Sequence, residues 1–403
     1  MVLDFIGGAK PEKRTRFGKS KINNVNCSTI CLKAENGAKA VIRAGQEVAR
    51  GDILGESNGM PVYASIAGVF KGILEIEGAK YFVVMNNGEN GEVCINEPET
   101  RALTQLTPDD IIESAKRFAI ADTRSGLPLW KLLTAANGKC RRLVIDCTET
   151  DPASAVNYRL CIEQAKNIVG GAKVLLRASG ALKCVFAAEY YRNAAFSALT
   201  EYATDEKLFT TAALNEKYPY GDRAIMYALY LKTLKRDQTA LDEGVLIVSP
   251  ETAAALYTAM VSGMPQLDRY ICVCGDGIKK GGNLKLPRGI TLHDIIEICG
   301  GLEKGGFLVE NSLLSGQPIG GALSDGTSTL IAAKPKKKVR LQCVSCGKCA
   351  DVCPMKLLPN EILTLDSGEV IENCIACGAC EYICPSGIPL LRLIQKHKEE
   401  DKQ

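Results

Sequence analysis

The residues of this chain best able to do chemistry are its cysteines. Eight of the 18 cysteines lie near the C-terminus, as Cys343-x-x-Cys346-x-x-Cys349-x-x-x-Cys353-Pro354 and Cys374-x-x-Cys377-x-x-Cys380-x-x-x-Cys384-Pro385. Three thiolates at this spacing wrap three corners of an iron–sulfur cubane, and the fourth, carried onto the next turn before a proline, reaches across to a second cluster. Because the cytosol keeps thiols reduced, such a density of cysteine without an export signal points to metal chemistry rather than disulfides. Zinc ribbons need only four thiolates and do not predict the paired Cys-Pro ends. Two clusters with every iron ligated by the protein leave no open position for a substrate, so they make a one-electron relay. The other ten (Cys27, Cys31, Cys94, Cys140, Cys147, Cys161, Cys184, Cys272, Cys274 and Cys299) are mostly flanked by apolar residues and read as small buried hydrophobes. Cys27-x-x-x-Cys31 and Cys272-x-Cys274 are the pairs among them with spacing for a metal or a redox switch. No nucleophile–base pair and no phosphate-binding Walker loop is present, which argues against hydrolase and kinase readings. The two histidines, His293 at a helix start and His397 in a charged tail, read as solvated.

The elements that must position these cysteines fall into four stretches. Residues 1–100 are rich in glycine and alternate with period two, as in Tyr81-Phe82-Val83-Val84, which predicts a small β domain. Val41 to Leu54 and Val62 to Phe70 have the strand–glycine–strand cadence of a biotinyl or lipoyl carrier. Where a carrier presents its lysine, this chain reads Glu56-Ser57-Asn58-Gly59-Met60, so a docking sandwich is expected rather than a swinging arm. Residues 107–265 alternate helix and strand. A helix starts at Thr107-Pro108 and runs to Phe118, and strands are predicted at Leu143–Asp146, Cys184–Ala187, Lys207–Thr210 and Val245–Val248. Further helices are predicted from Ser154 to Val169, ended by Gly170-Gly171, and over Asp222–Leu234 and Glu251–Ser262. Residues 268–330 read as a small β-grasp unit, with a strand from Tyr270 and a short helix near Ile290–Ile296. Residues 331–403 open on the basic run Lys334 to Arg340, read as a linker, and carry the cysteine repeats.

Composition bounds the rest. At 403 residues, with 46% hydrophobic and 24% charged residues, the chain is globular and too long for one core. A net charge of +3 gives no electrostatic case for nucleic acid. No stretch approaches the ~18 apolar residues of a membrane helix, and the start Met1-Val2-Leu3-Asp4 is unlike a signal peptide. The expectation is a cytoplasmic chain, peripheral at most to the inner face of the cell membrane.

The cysteine repeat resembles that of bacterial two-cluster ferredoxins. The resemblance implies one [4Fe–4S] cluster on Cys343, Cys346, Cys349 and Cys384 and a second on Cys374, Cys377, Cys380 and Cys353. The full order resembles the RnfC family: barrel-sandwich hybrid, Rossmann-like α/β domain, β-grasp (SLBB) unit, two-cluster ferredoxin module. These are peripheral subunits of the membrane-bound Rnf complex, related through the α/β domain to the NADH-oxidising flavoprotein subunit of complex I. Microcompartment cobalamin reductases look similar. The carrying residues include Asp146-Cys147-Thr148-Glu149-Thr150-Asp151-Pro152, similar to the family's N-G-A-E-C-E-P loop, and Lys217-Tyr218-Pro219-Tyr220-Gly221, similar to K-Y-P-x-G. Val273 to Ile278, Leu286 to Gly289 and Ser315 to Gly321 resemble later family segments. In the family the α/β domain binds FMN and NAD(H). The resemblance therefore implies that Gly126, Pro128, Lys131, Glu149, Asp151, Tyr218 and Gly221 hold flavin and nucleotide, with a redox protein or complex as partner.

One departure opens a second reading. The family's flavin loop, G-L-G-G-A-G-F-P-T and a lysine, is here Ala121-Asp122-Thr123-Arg124-Ser125-Gly126-Leu127-Pro128-Leu129-Trp130-Lys131. Three glycines are replaced, and Asp122 puts a negative charge near a phosphate seat. Arg124 and Lys131 are candidates to pair a phosphate, and Trp130 to stack on a ring. The chain is either an NADH- and FMN-linked oxidoreductase subunit or a flavin-less conduit between a separate reductase and a partner enzyme. No catalytic residue is assigned.

Overall fold

The computed structural model describes residues 1–10, 17–35, 37–88, 96–235, 237–316, 318–319, 323–335, 341–364 and 368–400. Cys94, part of the Ser315–Gly321 segment and most of the basic run before Leu341 lie outside the described residues.

The alternating apolar residues near the start form eight strands: β1 Ile22–Asn24, β2 Thr29–Lys33, β3 Lys39–Ala40, β4 Glu47–Val48, β5 Ile53–Ser57, β6 Met60–Tyr63, β7 Gly68–Ile76 and β8 Ala79–Met85. All but β1 make two antiparallel sheets, β2-β8-β7-β4 and β3-β5-β6. The stretch without a carrier lysine is a tight hairpin, in which Asn58 and Gly59 both take positive φ, 53° and 72°, as a two-residue turn between twisted strands requires.

The middle of the chain is a parallel sheet in the order β11-β10-β9-β12, made of β9 Arg142–Asp146, β10 Lys183–Glu189, β11 Phe209–Leu214 and β12 Val245–Val248. All of β12 and the last four residues of β9 are buried, because helices cover both faces. These are α1 Pro108–Arg117, α2 Leu129–Ala136, α3 Val156–Glu163, α4 Ala165–Ser179, α5 Asn193–Tyr202, α6 Asp222–Tyr230 and α7 Pro250–Ser262. The helix start at Thr107 is a full capping box with Asp110. The single helix expected from Ser154 is two, breaking at Gln164, and Gly170-Gly171 end neither. They lie inside α4 because α7 presses on them: a Cβ on Gly171 would stand 1.8 Å from the Ala253 carbonyl oxygen, and one on Gly170 would meet the Tyr257 ring. The actual stop is Gly180, left-handed at φ 71°.

The next sheet, β1-β14-β13-β16-β15, combines β13 Asp268–Gly275, β14 Gly282–Pro287, β15 Phe307–Glu310 and β16 Thr329–Ala333 with β1 from the start of the chain. Helix α8, Leu292–Ile298, is capped by Thr291. Ile30, Phe70 and Phe82 share one core with Ile271, Leu286 and Leu330, so the early strands and this sheet pack as neighbours. The cysteine repeats carry short helices, α9 Lys348–Asp351, α10 Gly368–Asn373 and α11 Ala379–Ile383, before α12 Leu390–Glu400. Among the described residues no helix is long and apolar enough to cross a membrane.

Candidate functional site

The two cysteine repeats fold alike. Ser345, Gly347 and Lys356 in the first have positive φ of 54°, 74° and 57°, and their equivalents Ala376, Gly378 and Gly387 have 57°, 76° and 62°. These left-handed turns bend the backbone around the thiols and aim amides at sulfur. Ser345 N–H points to Cys343 Sγ at 3.4 Å, Ala376 N–H to Cys374 Sγ at 3.3 Å and Leu357 N–H to Cys353 Sγ at 3.4 Å. Amides placed this way stabilise thiolate charge and tune cluster potential. The eight thiols line two hollows. One has Cys343, Cys346, Cys349 and Cys384, the other Cys353, Cys374, Cys377 and Cys380. Each hollow has three thiols from one repeat and one from the other, a set that fits the donors of a cubane. Among the described residues no three potential ligands converge tightly enough for a single ion. Burial pushes the Cys377 thiol up to about 11 and Cys380 higher still, so loading of iron displaces protons.

The second hollow is the inner one. The Tyr218 hydroxyl donates to the Cys377 carbonyl at 2.7 Å and lies 2.8 Å from Ser315 Oγ. Burial, tempered by the Ser312 and Ser315 hydroxyls, raises the phenol to about 12, so it stays a donor. Residues 7–9 strap the same face. Gly8 N–H donates to the Val352 carbonyl, and Ala9 and Tyr218 exchange backbone bonds of 2.7 Å. A Cβ on Gly7 would lie 2.7 Å from Cys353 backbone, and one on Gly378 2.1 Å from the Leu314 carbonyl oxygen. By contrast Cys343 and Cys346 of the first hollow are exposed.

The second candidate site is the carboxyl edge of the parallel sheet, where open α/β sheets take ligands. Here the loop 121–128 closes on itself. Asp122, fully buried, accepts from Ser125 N–H and Oγ–H, Ser249 N–H and Thr252 Oγ–H. Gly126 N–H donates to the Asp122 carbonyl, Leu127 N–H to Ser125 Oγ and Thr123 N–H to Thr252 Oγ1. Arg124 turns inward, 2.7 Å from Asp146 Oδ2 and paired also with Asp222. Burial works against its charge, yet Asp222 and Asp146 raise it further above its usual range. Behind them Glu149, Glu189 and Arg192 are all buried, and Glu149 Oε2, Glu189 Oε2 and Arg192 Nε have no hydrogen-bond partner. Burial lifts Glu149, and lifts Glu189 to about 7 despite Arg192.

Of the residues expected to hold a flavin, Gly126, Glu149, Asp151 and Gly221 lie at or beside this sheet edge, whereas Tyr218 bonds to Cys377. Gly126 is left-handed at φ 72° and packs on Gly326, and Pro128 precedes α2. Lys131 is exposed, its ammonium 5.5 Å from the Trp130 ring centroid. Trp130 itself also carries Lys116 over its ring. Glu149 and Asp151 are buried at the sheet edge, and Gly221, at φ 142°, lies beside the Arg124 guanidinium. Tyr218 faces the cysteine module. Sequence reasoning missed Glu189, Arg192 and Asp222; the position of Glu189 as the last residue of a buried strand was the available signal.

Residues 123–258 match the family described as the Nuo51 FMN-binding domain, and residues 336–385 the 4Fe-4S dicluster domain. The chain is 26% identical over 344 residues to the C subunit of the Na(+)-translocating ferredoxin:NAD(+) oxidoreductase complex of Acetobacterium woodii, covering 80% of this chain and 76% of that protein. It is 25% identical over 395 residues to the C subunit of the ion-translocating oxidoreductase complex of Klebsiella pneumoniae, covering 91% of this chain and 52% of that protein, so it spans about half that relative's length. A solved NAD+-reducing [NiFe]-hydrogenase, air-oxidized, superposes with a TM-score of 0.44 at 16% identity, over 61% of this chain and 53% of that one. Over most of its length the chain is thus RnfC-like, a mixed α/β protein with a ferredoxin-type domain.

Proposed function

We propose, from the likeness to the RnfC proteins of ion-translocating complexes, that this chain relays single electrons through two [4Fe–4S] clusters. Cys343, Cys346, Cys349 and Cys384 hold the outer cluster, and Cys353, Cys374, Cys377 and Cys380 the inner one. The observation that carries this reading is the pair of four-cysteine hollows, each completed from the other repeat. Residues 1–100 serve as a barrel-sandwich docking domain, 107–265 as the flavoprotein-like α/β domain, 268–330 as a β-grasp unit and 331–403 as the relay. Cubane clusters supply reversible one-electron chemistry when bound. The chain's own contribution is to seat the inner cluster against the α/β domain through Tyr218 and to leave the outer one exposed for a redox partner. Such a partner fits a complex on the inner face of the cell membrane, to which this chain attaches peripherally.

The test is a ligand swap on anaerobically reconstituted protein. Cys353→Ser is expected to lower iron from about eight to about four per chain and abolish the cluster signal of the second repeat. Cys384→Ser should abolish that of the first. If each substitution removes the cluster of its own repeat instead, the assignment is wrong; no iron in the unsubstituted protein sinks the relay itself.

A further inference from the structure

Nucleotide phosphates are held at the carboxyl edge of an α/β sheet because loops and helix N-termini there offer unpaired amides to an anion. At this edge the chain's own carboxylates have taken that role. Seven amides, those of Ser125, Ser249, Thr148, Glu149, Tyr158, Ala153 and Leu313, donate to five acids, Asp122, Asp146, Glu149, Glu189 and Asp151. Asp122 occupies the N-terminus of α7, a helix of 13 residues, where its Oδ1 accepts from the Ser249 amide at 3.1 Å and the Thr252 hydroxyl at 2.9 Å. A phosphate arriving there would find a buried carboxylate of its own charge on the donors it needs.

The charges agree with the donors. Asp122, Asp146, Glu149, Asp151, Glu189 and Asp222 stand along this edge, and among the described residues Arg124 and Arg192 lie between them. Arg124 is held between Asp146 and Asp222, with its side chain only 19% exposed. Arg192 lies between Glu149 and Glu189, over the Tyr158 and Tyr191 rings. Among the described residues both guanidiniums at this edge are thus committed to the chain's own acids, and neither is left to pair a nucleotide's phosphates. Backbone approach is also obstructed. The glycine at which the loop keeps a left-handed turn, Gly126, already spends its amide on the Asp122 carbonyl, 2.8 Å away.

We infer that the carboxyl edge of the α/β sheet is closed to flavin and nicotinamide nucleotides, Asp122 on the donors at the start of α7 and Arg124 paired with Asp146 and Asp222 standing as a built-in plug in the flavin seat. The inference rests on the relay reading and completes it. Electrons enter and leave through one-electron carrier proteins, the donor losing one electron as a cluster gains it, with no hydride step in this chain. The α/β domain is then a rigid seat for the inner cluster.

The experiment uses the full chain, anaerobically reconstituted, with iron counted and dithionite bleaching recorded first. FMN is titrated while its fluorescence polarisation is followed, NADH is then added with the cluster absorbance monitored, and hydrogen exchange is compared with and without each nucleotide. The expected result is polarisation unchanged from free FMN, no bleaching by NADH, and unaltered protection over residues 121–131 and 146–158, with full bleaching by dithionite. Saturable FMN binding accompanied by slowed exchange in those segments overturns the inference and leaves the relay intact. Failure to load iron, or clusters that dithionite does not bleach, overturns the relay reading on which it rests.

Discussion

Tyr218→Phe isolates the joint between the α/β domain and the inner cluster. The substitution keeps the ring, which packs on Ala9 and Ala379, and deletes the hydroxyl that donates to the Cys377 carbonyl at 2.7 Å. A neutral hydrogen bond contributes about 1 kcal/mol net, and a buried acceptor left without its donor costs about 1–3 kcal/mol. Ser315 Oγ, 2.8 Å from the lost oxygen, also loses a neighbour. We expect the docked state to weaken by about 2 kcal/mol, which at tenfold per 1.4 kcal/mol raises the undocked population roughly 20- to 30-fold. The amides that report it are at the joint. Gly8 donates to Val352, and Ala9 and Tyr218 pair with each other, so their exchange should accelerate by that factor. Helix α12 makes its bonds inside the cysteine module and should keep its protection. Native-state exchange read by NMR decides the matter: equal protection at residues 8, 9 and 218 in both proteins would refute the claim that this hydroxyl holds the joint.

Three further outcomes follow from the geometry. Arg124→Met strands Asp146, whose side chain is 6% exposed, and breaking such a pair costs about 3 kcal/mol, so Tm should fall by roughly 6–12 °C in a scan with or without added FMN. Gly171→Ala must move α4 off the Ala253 carbonyl, 1.8 Å from the new Cβ; despite better helix propensity it should destabilise by about 2 kcal/mol in urea unfolding. Burial raises Glu189 from 4.5 to about 7, so between those values the folded state holds a proton that the unfolded state releases. Stability should therefore decline as pH climbs through that window, on the order of 1 kcal/mol per unit. Glu189→Gln should flatten the slope in denaturant melts, and an unchanged slope would exclude Glu189 as its source.

Much of this was legible from local signals. The Cys-Pro repeats announce themselves because cluster geometry fixes spacing, and the capping box at Thr107 and the apolar run Val245–Val248 act within a few residues. What could not be read depends on distant partners. Gly170-Gly171 look like a helix stop until α7 is known to lie against them, since close packing and chain termination select the same residue. Arg124 reads as a phosphate ligand until the fold brings Asp146 and Asp222 to it. Asp122 looks misplaced in a phosphate loop, but the fold sets it against Ser249, the cap residue of a helix more than a hundred residues away, and the Thr252 hydroxyl. Nor could the sequence show that Trp130, a candidate to stack on a ring, has Lys116 and Lys131 over its own.

The strap of residues 7–9 carries a consequence for how the molecule comes into being. Its contacts, Gly8 with Val352 and Gly7 with Cys353, join segments distant in sequence, so they form only after the cysteine module has been made. Closing so large a loop adds little to the free-energy cost, because that cost grows with the logarithm of its length, but it is a contact of very high sequence separation and correspondingly slow to form. The turn that Gly7 grips is the one presenting Cys353, the inner cluster's borrowed ligand. The proposed iron ligand Cys353 and the closure of this long loop thus share one turn of the backbone.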